Sequence, residues 1–168
     1  MQEKLRRHYQ IQKEVTRGGE FQGEIRVSEL TRLSEFLLLD SAEIALEFSF
    51  KQSEYDIPVV VGRARSCLMV ECQRCLKAME IPIEMDFKLL VNASDDLIAE
   101  SLLDSIYCED GKVDIFEVVE DELILGLPLV TMHDDMTCNE FWPDQDEDPE
   151  QAAKNNPFSV LAKLKTFN

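Results

Sequence analysis

Cys72 and Cys75 lie three positions apart in Val70-Glu71-Cys72-Gln73-Arg74-Cys75-Leu76, between two segments that alternate in polarity as β-strands do. Two thiols at that spacing on a strand-to-strand reversal can face a single point, which suits half of a tetrahedral metal site or a redox pair. A soft ion such as zinc takes four ligands, with thiolate and imidazole preferred. His133 and Cys138, far downstream, are the residues able to complete such a set, although His-x4-Cys is an unusual second half. Four protein ligands would close the site and make it structural. Redox chemistry needs a thiol acidified by a helix N-terminus or a neighbouring cation. Arg74 and Lys77 are near, but no helical pattern follows the motif. The remaining reading is a reduced, inert pair.

Other catalytic material is sparse. His8 sits in a basic N-terminal stretch, and His133 has no serine or cysteine nucleophile in a recognisable frame, so the sequence points away from an enzyme. Cys67 and Cys108 have no matching partners and read as packing residues. The carboxylates Glu117, Glu120, Asp121 and Glu122 fall in the first turns of a helical pattern, where they interact favourably with the helix dipole.

The elements that must position the cysteines can be read from periodicity. Val60, Gly62, Ala64, Ser66, Leu68 and Val70 share one face of an extended segment, with Arg63 and Arg65 on the other; Met79, Ile81, Ile83, Met85, Phe87, Leu89 and Val91 share one face of the next. Two long strands joined by a short turn should pair antiparallel, which places Cys72 and Cys75 at a hairpin tip. Strands are also expected over 21–27 and 44–50, and a short one over 112–115. Helices are expected from Ser28 to about Leu39, over 94–105, and from an Asp114/Glu117 capping box to Pro128. The fold class expected is α+β: a single domain with an antiparallel sheet able to curl towards a barrel, a long central hairpin and a few helices.

Composition bounds the rest. A chain of 168 residues with 45% hydrophobic content can build one core. Residues 1–20 form a basic N-terminal arm, 21–133 the core domain, 134–155 an acidic, solvated loop, and 156–168 a C-terminal docking helix with Phe158, Leu161 and Leu164 as its apolar stripe. Seventeen basic residues against thirty-four acidic ones give a net charge of −17, which repels a phosphate backbone or an anionic membrane and favours a basic protein partner. No stretch approaches the roughly 18 apolar residues that a membrane span requires. Five cysteines and no apolar leader fit reduced thiols in the cytoplasm.

Four motifs in series carry a resemblance. Glu71-Cys72-Gln73-Arg74-Cys75, then Val113-Asp114-Ile115 running into Val118-Val119-Glu120-Asp121-Glu122-Leu123-Ile124-Leu125-Gly126-Leu127-Pro128, then His133 with Cys138, and Asn156-Pro157-Phe158-Ser159-Val160-Leu161-Ala162-Lys163-Leu164 resemble the YceD family of large ribosomal RNA subunit accumulation proteins. The resemblance spans roughly residues 20 to 166. It implies a cytoplasmic, non-enzymatic factor for synthesis, processing or stability of 23S rRNA. Relatives with cysteines at the places of His133 and Cys138 imply a structural zinc on Cys72, Cys75, His133 and Cys138, with His133 a departure from the all-cysteine pattern. The charge favours an adaptor for a basic partner, such as a ribosomal protein or a processing nuclease. Two alternatives stay open: direct rRNA contact through Arg63, Arg65 and the N-terminal arm, and a metal- or thiol-dependent enzyme acting on RNA through the same four donors.

Overall fold

The computed structural model describes residues 5–96, 98 and 103–139. By backbone contacts the chain divides into Met1–Met132 and His133–Asn168, and the described part of the second is 133–139. In chain order the elements are β1 (His8–Gln10), α1 (Ile11–Arg17), β2 (Glu20–Arg26), a 3-10 turn (Val27–Glu29), α2 (Thr31–Ser34), β3 (Glu43–Gln52), β4 (Pro58–Glu71), β5 (Ala78–Val91), β6 (Ser105–Ile106), β7 (Lys112–Asp114) and α3 (Ile115–Gly126). A five-stranded sheet runs β2-β3-β4-β5-β6, and β1 pairs with β7 in a two-stranded sheet. The architecture is α+β, as the alternation of patterns predicts.

The strands form where polar and apolar residues alternate, because each apolar set can be buried on one side of the sheet. β4 and β5 pair antiparallel from Val59↔Leu90 to Glu71↔Ala78. Val60, Ala64, Leu68 and Val70 of β4 and Ile81, Ile83, Phe87 and Leu89 of β5 are buried on the shared face. Gly62 lies opposite Phe87, and a Cβ there would come within 2.2 Å of the Phe87 ring. The ring occupies the volume that any other residue at position 62 would need. The sheet is not wholly antiparallel: β6 joins the end of β5 in parallel, so the sheet is mixed.

Two local expectations need correction. The helix expected from Ser28 to Leu39 is a 3-10 turn followed by the four-residue α2. The buried carboxylate of Glu120, on α3, explains how so short a helix is held. Glu120 accepts from the backbone N–H groups of Arg32 (2.7 Å) and Leu33 (3.1 Å), satisfying donors that α2 cannot satisfy itself. The Arg32 guanidinium adds a bond to the same carboxylate at 3.0 Å.

The described part of the basic segment, residues 5–20, is built into the body. Leu5, Tyr9 and Ile11 are core residues, and Tyr9 packs with Phe21, Phe48 and Phe50. Arg7 donates to Asp114 at 2.7 Å, while the buried Glu14 pairs with Arg17 and, at 3.6 Å, with Arg6. Of the helix expected over 94–105, residues 95, 96 and 98 are helical, 97 and 99–102 lie outside the described residues, and Ser105 belongs to β6 instead; the acidic run beyond residue 139 and the docking helix over 156–168 also lie outside the described residues.

Candidate metal centre

Cys72 and Cys75 come at the tip of the β4–β5 hairpin, where the ladder gives way to a tight turn. The Cys72 N–H donates to the Lys77 carbonyl at 2.9 Å, and the Leu76 N–H returns to the Cys72 carbonyl at 2.8 Å. Leu76 closes the turn in a left-handed conformation, φ 59°, which costs an L side chain about 1 kcal/mol. Cys72 is fully buried and Cys75 half-buried.

The segment leaving α3 is bonded to this tip. Pro128 ends the helical pattern, and the chain then runs along the hairpin end: the Gln73 N–H donates to the Thr131 carbonyl at 2.8 Å, and the Thr131 hydroxyl donates to the Glu71 carbonyl at 2.6 Å. The Arg74 guanidinium reaches the Met132 sulfur at 3.5 Å. Two residues after Thr131 comes His133. The loop that follows is shaped by Asp135, whose side chain accepts from the Thr137 N–H at 2.8 Å and the Thr137 hydroxyl at 2.7 Å, while its carbonyl accepts from the Cys138 N–H at 3.2 Å. Asp135 and Thr131 are positioning residues that spacing alone does not reveal, since an Asx turn inside an acidic run has no distinctive pattern.

One ligand atom from each of Cys72, Cys75, His133 and Cys138 lies within 4.8 Å of the others. Three sulfurs and an imidazole nitrogen are a set that suits a soft ion, and the spread is compatible with tetrahedral coordination at roughly 2.0–2.3 Å per ligand. With four protein donors gathered, such a site has no open position for substrate. The cluster could hold a metal.

The other residues singled out from the sequence fall elsewhere. Arg63 and Arg65, candidates for phosphate contact, face carboxylates on β5: Arg63 donates to both oxygens of Asp86, one at 3.0 Å, and Arg65 to Glu84 at 2.9 Å. The Arg63 hydrogen bond holds the Asp86 carboxyl below the usual carboxylate range, and Asp86 raises the guanidinium in return. Cys67 is exposed on the arginine face of β4, so it is not a packing residue. Cys108 is half-buried, and burial pushes its thiol up, assisted by the Glu117 charge, which makes it a poor nucleophile. Burial also raises the Glu122 carboxyl, with Asp104 and Asp121 adding to the shift. Among the described residues no helix is long and apolar enough to cross a membrane.

These features define an α+β protein with a mixed sheet and a Cys3His donor cluster at the tip of its longest hairpin. The chain belongs to the YceD family: the family described as Large ribosomal RNA subunit accumulation protein YceD matches residues 60–165. It is 33% identical over 161 residues to the Large ribosomal RNA subunit accumulation protein YceD of Haemophilus influenzae, covering 91% of each chain. No solved structure matches it significantly.

Proposed function

We propose that this chain is a non-enzymatic cytoplasmic factor in the accumulation of 23S rRNA, acting as an adaptor for a basic protein partner. In this reading Cys72, Cys75, His133 and Cys138 hold a structural zinc. The ion would tie the hairpin tip to the loop that carries His133 and Cys138, and so fix where the acidic segment begins. The family and its Haemophilus influenzae relative support the link to large-subunit rRNA. The observation that carries the adaptor role is the state of the two β4 arginines in a chain of charge −17: both are already engaged by Asp86 and Glu84. A phosphate would have to displace a carboxylate against a repulsive field. A basic protein meets no such barrier, and the acidic segment 134–155 with the helix expected over 156–168 offers it a surface.

The test is affinity purification from cells with metal analysis of the same sample. One zinc per chain and a basic ribosomal protein or nuclease should be recovered together. Replacing Asp144, Asp146, Glu147 and Asp148 with their amides should release the partner but not the zinc. Filter binding to a large-subunit rRNA fragment completes the test: tight binding by the purified protein, weakening steeply with salt, would sink the adaptor reading in favour of direct RNA contact.

A further inference from the structure

We infer that the outer edge of β5 receives an extended, basic segment of a partner polypeptide as an added strand. β5 is fourteen residues long, yet β6 covers it only at Leu90 and Val91. The Leu90 N–H donates outward to the Asp104 carbonyl at 2.9 Å. Because backbone groups alternate in direction along a strand, Lys88, Asp86, Glu84, Pro82 and Glu80 turn the same way. Among the described residues no backbone hydrogen bond reaches the outward groups of these five.

Pro82 stands at an outward position, where its missing N–H leaves the β4 ladder intact. Proline and charge are common devices that stop an edge from pairing with itself. Here they leave Glu84, Asp86 and Lys88 with donors and acceptors intact, in line with the start of β6. That row is a template for β-strand addition, in which main-chain bonds supply affinity and alternate side chains supply selectivity.

The side chains define the strand that fits. On the inner face Ile81, Ile83 and Phe87 are buried, and Met79 and Met85 are half-covered, so alternate apolar residues of an added strand would extend the core. On the outer face the added strand would meet Glu80, Glu84, Asp86 and Lys88 directly, with Asp86 and Glu84 also bonded to Arg63 and Arg65 one strand further in. Asp104 and Glu122 add negative charge close to the β6 end. Lysine or arginine is therefore matched opposite Glu80 and at the acidic β6 end, and can share the Glu84 and Asp86 carboxylates with Arg65 and Arg63, while the position opposite Lys88 suits a neutral or acidic residue. A second copy of the chain is opposed by its own −17 charge. The inference rests on the adaptor reading only for the sign of the partner's charge, and it is independent of the metal.

The probe is a short synthetic peptide alternating lysine or arginine with valine, added to full-length isotope-labelled protein. Amide signals of Glu84, Asp86 and Lys88 should shift and gain protection from exchange. Methylating alternate backbone nitrogens of the peptide, in each of the two phases, should weaken binding about tenfold in one phase. Lys88→Pro removes an outward N–H without touching the β4 ladder and should weaken it by a similar factor, and Glu80→Lys should weaken it without altering the melting curve. Equal binding of both methylated peptides, or shifts confined to other surfaces, would overturn the inference even if a basic partner still co-purifies. Edge-amide shifts that track protein concentration without peptide would also overturn it, in favour of self-pairing.

Discussion

The two ends of the β4–β5 hairpin are held by different means. Near Gly62 the strands are locked by aromatic packing: Tyr9 lies 4.5 Å from Phe21 between ring centroids, Phe21 stacks on Phe48 at 5.1 Å, and the Phe87 ring fills the space over Gly62. At the other end, about 30 Å away along the strand, Cys72 is buried but Leu76 is 68% exposed, and the turn carries backbone strain. One end is secured by apolar surface removed from water; the other has hydrogen bonds and four soft donors. The contrast leads to an expectation: burial should hold the body of the hairpin whether or not a metal is bound at its tip.

The largest effect should come from the aromatic end. Phe48→Ala should lower global stability by about 3–5 kcal/mol, measured by denaturant unfolding, while leaving zinc content unchanged. A loss of zinc with Phe48→Ala would break the separation between the ends. At the tip, Cys72→Ala should abolish zinc binding and cost about 1–2 kcal/mol, with amide protection lost at Gln73 and Leu76 but retained in β3. If stripping the ion from the wild type unfolds the whole body, the comparison fails.

Between the ends, Glu120→Gln should cost about 1–2 kcal/mol, because it weakens charge-assisted bonds to α2 while keeping an acceptor. Its signature is faster amide exchange at Arg32 and Leu33. The smallest effect concerns pH. The folded Asp86 carboxyl titrates below its unfolded value, so its contribution is complete above the unfolded pKa and is lost as pH falls through the folded one. Asp86→Asn should therefore lower stability slightly at neutral pH and converge with the wild type in acid, which flattens the acid limb of the stability profile. An identical acid limb would mean that the exposed pair contributes nothing measurable.

Much of this arrangement is legible in the sequence because one-sided burial forces a period of two. The hairpin, the inward set on β4 and β5, and the Asp114 cap of α3 all follow from local pattern; the Asp114 carboxylate does accept from the Phe116 and Glu117 N–H groups. The same alternation puts Cys67 with Arg63 and Arg65, so its exposure was readable and the packing assignment overlooked it. Glu120 was readable too, as one carboxylate among Phe116, Val119 and Leu123 on the buried stripe of α3. The shortness of α2 was not, since its N–H groups are satisfied by a residue 88 positions away. Nor was the placement of β1 beside β7, a three-residue pairing with too little periodicity to register. Cys72, Cys75, His133 and Cys138 could be named from residue type, but only folding shows that they gather.

The left-handed turn at Leu76 has a practical consequence. It sits between Arg74 and Lys77, after which trypsin would cut. A protease needs several residues to unfold locally before it can cleave. If the proposed zinc is held there, the hairpin tip would work as a gauge of occupancy: brief digestion should nick apo protein at Arg74 or Lys77 and spare the zinc-bound form, which turns a cluster of side chains into a band on a gel.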